Sequence, residues 1–157
     1  MAEEGNVATA EEILRQARTV LVIDWPSRDV PDTLARAGFT VVVHGGPGPE
    51  DYSVQEVVDG EVVPRHLGAA PQHADLVYSY RPVGELPGIV SGAQKIGATA
   101  VWRQSGLASS GTNDPKGCWV AESESQQARQ IVESAGLDYL EQPYIADAVR
   151  RITGEAG

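Results

Sequence analysis

Short runs of apolar and β-branched residues recur along the chain, and segments with helical spacing of apolar residues separate them. Apolar runs without polar alternation are typical of parallel strands that are buried on both faces of a sheet. We predict five such strands, over residues 19–24, 39–44, 74–80, 98–102 and 137–140. Residues 61–63 are interpreted as a minor strand at most.

The segments between these runs predict helices. Thr9 and Glu12 form a capping-box pattern, followed by the apolar positions of a short N-terminal helix. A helix over 29–37 tolerates Pro31 in its first turn and is expected to stop at Gly38. Three more helices are predicted. The first covers residues 86–96, the second runs from a capping box at Ser123 and Gln126 to a stop at Gly136, and the third covers residues 145–152.

Strands that alternate with helices predict a fold class. The pattern favours a three-layer, Rossmann-like α/β fold, in which helices flank a five-stranded, mainly parallel sheet with right-handed crossovers. We assign residues 1–18 to an N-terminal helical extension and residues 19–157 to the Rossmann-like domain. Ligands of such sheets lie beyond the carboxyl ends of the strands, so functional residues are expected just after Asp24, His44, Tyr80 and Trp102.

Composition narrows the classes of partner. The chain has 157 residues and a formal charge of −10, which disfavours nucleic acid and anionic membrane surfaces. Its single cysteine, Cys118, cannot form an internal disulfide. Residues 1–6 carry acidic groups where a signal peptide would need basic ones, and no run is long enough for a membrane span. We therefore expect a cytoplasmic protein.

Arginines follow three of the predicted strands. Arg28 comes after the first strand, Arg81 after the third and Arg103 after the fourth. Guanidinium groups bind phosphate oxygens in two-pronged geometry, and the amino end of the first helix would add N–H donors. The pattern predicts an anion site, although solvated ion pairs with the abundant acidic residues would explain the same arginines.

Two segments resemble a known family. Residues 74–82 read ADLVYSYRP, and residues 97–106 read GATAVWRQSG. Together they resemble the CoA-binding domain family, whose small stand-alone members are similar to the nucleotide-binding domain of the succinyl-CoA synthetase α subunit. The resemblance implies coenzyme A or acyl-CoA as the cofactor.

The resemblance also implies a set of cofactor-binding residues in three elements. The family's diphosphate-cradling loop falls on Trp25, Pro26, Ser27 and Arg28. Its Arg-Pro element falls on Tyr80, Arg81 and Pro82. Its Trp-Gln-Ser-Gly element falls on Trp102, Arg103, Gln104, Ser105 and Gly106. The first loop departs from the family's Gly-Ala-Ser run. Asp24 places a negative charge beside the expected diphosphate. Alternatively, its carboxylate accepts a hydrogen bond from a ribose hydroxyl or caps the following helix. Residues 108–120 look like an insertion.

Several single residues have two interpretations. Trp25, Trp102 and Tyr80 could stack on an adenine or pack under a neighbouring helix. Cys118 lacks the spacing of a nucleophile and its base, and is interpreted as a structural thiol. We find no catalytic constellation. Zinc is disfavoured, because the three histidines, His44, His66 and His73, lack the close pairing of a metal site. NAD is disfavoured, because His44 stands where an NAD-binding fold has an acidic residue.

The sequence thus predicts a coenzyme A or acyl-CoA binding protein without catalytic activity of its own. The alternative is a cofactor-free protein interaction or dimerisation module on a degenerate CoA-binding fold. A CoA-type small molecule is the expected partner, and a homodimer stays open.

Overall fold

The structure, a computed structural model, describes residues 9–45, 48 and 50–154. These residues hold seven strands and five helices, with one 3₁₀ turn at Val83–Glu85. The strands are β1 Thr19–Ile23, β2 Thr40–His44, β3 Tyr52–Val58, β4 Glu61–His66, β5 Leu76–Ser79, β6 Ala100–Arg103 and β7 Asp138–Leu140. The helices are α1 Ala10–Gln16, α2 Asp29–Arg36, α3 Leu86–Lys95, α4 Glu122–Ser134 and α5 Ile145–Thr153.

The seven strands form one sheet in the order β4-β3-β2-β1-β5-β6-β7. The five predicted strands are confirmed as the parallel part of this sheet, from β2 to β7. The predicted number of strands is wrong, because β3 and β4 add an antiparallel hairpin next to β2. Asp59 and Gly60 connect the hairpin with positive φ angles of 52° and 82°, as a type I′ turn requires.

Helices cover both faces of the sheet, so the three-layer architecture is confirmed. In one core, α1, α2 and α5 pack against one face of the sheet, on residues such as Val20 and Val22. The other packs α3 and α4 against residues of the opposite face, such as Leu21 and Val77. None of the described helices is long and apolar enough to cross a membrane.

The helix ends agree with the sequence in part. The capping box of α1 is present, with the amide of Glu12 donating to the hydroxyl of Thr9 over 3.1 Å. Gly38 follows α2 with a φ of 101°, as its role as a stop requires. The capping box predicted at Ser123 is wrong: the N-cap of α4 is Ala121, two residues earlier, and it provides no side-chain cap.

The order of strands places the switch point beside β1. The chain moves from β1 to β2 on one side and returns to β5 on the other. At the amino end of these strands, the carboxylate of Asp75 accepts hydrogen bonds from the amides of Arg18 and Thr19, at 2.8 and 2.9 Å. This contact fixes the register of β5 against β1, and the carboxyl ends of both strands therefore meet at one crevice.

Candidate functional site

A cleft of about 580 Å³ lies at the carboxyl ends of β1, β2 and β5. We call it the edge cleft. It is lined by Ile23, Asp24, Trp25, His44, Gly45, Arg81 and Glu85. The cleft is thus formed at the edge where the strand order predicted a ligand.

Arg81 is the cationic group of the edge cleft, and two carboxylates already bind it. Its Nε and Nη2 donate to the two oxygens of Glu85, at 2.9 and 2.7 Å. Its Nη1 donates to Asp24 over 3.0 Å. The hydrogen bonds to Glu85 and Asp24 raise the pKa of Arg81, and the bonds from Arg81 lower the pKa of Glu85. The three side chains together carry one net negative charge.

Asp24 occupies an unusual backbone conformation, with a φ of +63°. Glycine adopts this left-handed region most readily, and Asp and Asn are the side-chain-bearing residues that tolerate it best. The side chain of Asp24 also accepts a hydrogen bond from the amide of Trp25 over 2.8 Å. Its partners are therefore Trp25 and Arg81, and the predicted helix cap is wrong because neither bond reaches an amide of α2.

Arg28 stands between β1 and α2 but does not face the edge cleft. One of its terminal nitrogens donates to Asp32 over 2.8 Å and to the amide oxygen of Gln55 over 2.9 Å. Gln55 lies on β3 and is 5% exposed. Arg28 thus ties the first loop to the hairpin.

Asp29, the first residue of α2, ties the same loop to α5. Its carboxylate accepts hydrogen bonds from the hydroxyls of Tyr144 and Thr33, at 2.7 and 3.0 Å, and from the guanidinium of Arg150. Burial opposes the charge of Asp29, but these bonds and the charge of Arg150 outweigh it and lower its pKa. The loop that would cradle a diphosphate is therefore fixed on two sides before any ligand arrives.

A second, smaller cavity of about 230 Å³ lies at the carboxyl ends of β5 and β6. We call it the side pocket. Its lining is Tyr80, Arg81, Pro82, Arg103, Gln104, Ser105, Leu107 and Glu124. Arg81 lines both cavities, so they lie side by side along the edge of the sheet.

Arg103 is the buried cation of the side pocket, with 4% of its surface exposed. Its Nε donates to the backbone oxygen of Arg81 over 3.1 Å, and its Nη2 donates to Glu124 over 2.5 Å. Burial opposes its charge, yet the contacts with Glu124 and Tyr139 outweigh this effect and raise the pKa of Arg103. The guanidinium is thus held in one position, charged and paired.

Gln104 organises the loop that follows β6. Its side-chain amide donates to the backbone oxygens of Pro115 and Gly117, at 2.7 and 3.3 Å, and its oxygen accepts from Tyr78. Gly106 has a φ of +71° and lies under the ring of Tyr80. The segment predicted as a long loop is therefore irregular but closed by its own hydrogen bonds.

Trp102 does not reach either cavity. It is 1% exposed, and its indole nitrogen donates to the backbone oxygen of Pro143 over 3.1 Å. The ring is therefore part of the core, as the interpretation of packing beneath a helix expects. A role for Trp102 in cofactor binding stays a prediction. Trp25 is half-buried and lines the edge cleft, where stacking on a base stays a prediction.

The structure thus divides the predicted site residues. Trp25 and Arg81 line the edge cleft, and six residues line the side pocket: Tyr80, Arg81, Pro82, Arg103, Gln104 and Ser105. Pro26, Ser27 and Arg28 line neither cavity. The sequence interpretation missed two carboxylates, Glu85 and Glu124. The spacing of Glu85 four residues after Arg81 could have indicated their pair, whereas Glu124 is 21 residues from Arg103 and no local signal joins them.

Two further observations concern the thiol and the possible metal ligands. Cys118 is half-buried, and burial raises the pKa of its thiol to about 11. In the part of the chain that the structure describes, no group of three or more His, Cys, Asp or Glu side chains is placed to hold a metal ion.

A family model described as a CoA binding domain matches residues 19–145. The chain belongs to this family. The predicted resemblance is confirmed over most of the sequence, and membership points to a CoA-type ligand for this CoA-binding domain. A comparison with curated proteins finds no match.

Two solved structures are similar to this CoA-binding domain. One is a crystal structure of Prb, the PH1109 protein redesigned for binding. It has 18% sequence identity and a TM-score of 0.61, over 94% of this chain and 92% of that chain. The other is a hypothetical protein from Pyrococcus horikoshii OT3, with 19% identity and a TM-score of 0.57, over 94% of each chain. At these identities the likeness shows the fold alone.

Proposed function

We propose that this CoA-binding domain binds coenzyme A or an acyl-CoA across the edge cleft and the side pocket, and has no catalytic activity of its own. The observation that carries the proposal is the adjacency of the two cavities, which share Arg81 at the carboxyl edge of a parallel sheet. The span from β2 to β6 is three strand spacings, about 14 Å, so only an extended ligand can fill both.

The charges and shapes suggest which end of the ligand lies in each cavity. The larger edge cleft offers the half-buried ring of Trp25 and the guanidinium of Arg81. A guanidinium group suits phosphate oxygens, which it can bind in two-pronged geometry. The smaller side pocket then receives the thiol or thioester end of the pantetheine arm.

Asp24 and Glu85 set a limit on the affinity. A phosphate group on Arg81 competes with these two carboxylates, and a carboxylate that stays in place repels it. The first loop also presents Asp24 where the family usually has a small uncharged residue. We therefore expect weak binding that falls further as carboxylate charge is added and strengthens when it is removed.

The absence of catalysis in the proposal is supported by the thiol chemistry. An acyl-transfer reaction needs a nucleophile close to the thioester carbon, and Cys118 lines neither the edge cleft nor the side pocket. With its pKa raised to about 11, the thiol is almost entirely protonated near neutral pH. Mass spectrometry after incubation with acetyl-CoA should find no covalent acyl adduct; an adduct would contradict this part of the proposal.

Isothermal titration with CoA, acetyl-CoA, NAD and ATP tests the proposal. We expect CoA to bind, and Arg81→Ala to weaken its binding by about tenfold or more, because a charge-assisted hydrogen bond to phosphate is lost and two carboxylates are left unpaired. Arg15→Ala is the matched control, since Arg15 is an exposed arginine paired with Glu11 on α1, near the amino end of β1. No heat at millimolar CoA, or equal effects of the two variants, would overturn the proposal.

One observation favours the cofactor-free interaction module as a second candidate. Arg28, Arg81 and Arg103 each pair with a carboxylate, so the charges of the predicted anion site are already balanced. Native mass spectrometry separates the two candidates. A CoA-sized mass increment supports cofactor binding, whereas a stable dimer that is unchanged by CoA supports the interaction module.

A further inference from the structure

Two buried polar atoms near the carboxyl ends of β5 and β6 have no hydrogen-bond partner among the described residues. They are Nη1 of Arg103, a residue that lines the side pocket, and Oγ of Ser79, a residue that does not line it. The two residues are paired in register on β6 and β5, so their side chains leave the same face of the sheet. Unpartnered buried polar atoms are costly and infrequent in native proteins. The end of β5 and β6 therefore has hydrogen-bonding capacity left for an added polar group.

The charges around the side pocket favour an uncharged group there. Arg103 is paired with Glu124, and Arg81 is paired with both Asp24 and Glu85. Carboxylates therefore outnumber guanidinium groups by three to two at this end of the sheet. A further carboxylate would enter a region that is already negative, whereas a carbonyl oxygen could accept a hydrogen bond without that repulsion.

The size of the side pocket restricts the group as well. Its volume of about 230 Å³ corresponds to about seven or eight water-sized volumes. A thioester with a short acyl chain fits such a space.

We propose that Glu124 determines the ligand specificity of the side pocket, by excluding acyl groups that carry a carboxylate and admitting the thiol or a short uncharged acyl group. The inference rests on the proposed function, because the acyl group reaches this pocket only if the CoA arm crosses from the edge cleft. Glu124 acts through charge: it neutralises Arg103 and repels a second carboxylate. Without it, the buried guanidinium would offer two nitrogens to a ligand carboxylate in two-pronged geometry.

Butyryl-CoA and succinyl-CoA test this role, because their acyl chains have the same length and differ in a terminal carboxylate. The dissociation constants of CoA and of both esters are measured by titration calorimetry with the wild type, Glu124→Gln and Glu133→Gln. Glu133 is the control, since it lies on the same helix in an exposed pair with Arg129 at 3.1 Å. The wild type is expected to bind succinyl-CoA about tenfold more weakly than butyryl-CoA, the size of one like-charge contact near a protein surface.

In Glu124→Gln the preference should disappear or reverse, while Glu133→Gln keeps the preference of the wild type. Equal affinity of the wild type for the two esters would overturn the inference without any variant, as would an unchanged preference in Glu124→Gln. Glu124→Asp guards against a folding defect, because it keeps the charge and should keep the preference. If the wild type binds CoA but does not prefer butyryl-CoA over succinyl-CoA, only the role of Glu124 is refuted. If the wild type does not bind CoA, the proposed function is refuted as well.

Discussion

Asp24→Asn is expected to strengthen the binding of CoA. The substitution removes one negative charge from the edge cleft and keeps a residue type that tolerates the φ of +63° at this position. A phosphate bound to Arg81 would lie about 6 Å from the Asp24 carboxylate, which is an interaction of about 0.7 kcal/mol in water and up to about 3 kcal/mol at an effective dielectric constant of about 20.

The exposure of Asp24 decides between these limits. Its side chain is 43% exposed, so screening by water favours the lower end, at about 1 kcal/mol for each phosphate charge. A diphosphate carries two such charges, together about 2 kcal/mol, and the dissociation constant is therefore expected to fall by about thirtyfold. The lost ion pair with Arg81 is also exposed and should cost less than about 1 kcal/mol of folding stability.

Titration calorimetry with CoA at low and high salt measures this effect. Asp59→Asn is the matched control, because Asp59 also has a positive φ, of 52°, but lies in the hairpin turn, on the side of the sheet where the parallel strands begin. The gain from Asp24→Asn should shrink at high salt, since screening shortens the range of the repulsion. An unchanged or lower affinity in Asp24→Asn, or the same gain in Asp59→Asn, would contradict the proposed repulsion.

Three further predictions concern the support of the site. Gly106→Ala should destabilise the fold by at least about 1 kcal/mol through backbone strain. It should also disturb CoA binding, because the added Cβ would lie 2.4 Å from the ring of Tyr80. Gly111→Ala, at a φ of +87° with open space around it, should lower the stability measured by urea unfolding but leave CoA binding intact. Asp29→Asn should lose about 1–3 kcal/mol at pH 7. Because the folded pKa of Asp29 is lowered, the advantage of the wild type persists above about pH 4 and is lost as pH falls through the folded pKa, so the unfolding curves of the two proteins should converge in acid. Cys118, with a pKa of about 11, should react with iodoacetamide at pH 8 about a hundredfold more slowly than a free cysteine, and a comparable rate in a mass-spectrometric time course would contradict its burial.

The parallel sheet could be predicted because its strands are buried on both faces. Continuous runs such as the one that includes Val20 and Val22 identify such strands without knowledge of their partners. The hairpin of β3 and β4 was missed although Asp59 and Gly60 stand between paired valines, a strong turn signal. Its strands mix polar and apolar residues at exposed positions, because the hairpin lies at the sheet edge, and they do not form a continuous apolar run.

The location of the site could be predicted, but its charge balance could not. Strand order brings Arg81 and Arg103 to one edge whatever their partners are. The partners depend on tertiary contacts: Asp24 is 57 residues from Arg81, and Glu124 lies on a helix that follows a long loop. Trp102 was assigned to the site because its neighbours in sequence are there, yet the alternation of a strand turns its ring to the core.

A titration of isotope-labelled protein with CoA, followed through backbone amide resonances, shows whether the ligand occupies both cavities. Binding across both cavities predicts progressive shifts for amides around the edge cleft and the side pocket, led by Trp25, Arg81 and Ser105, with little change at the hairpin turn near Asp59. Unchanged spectra at millimolar CoA, or shifts confined to the amino edge of the sheet, would contradict it.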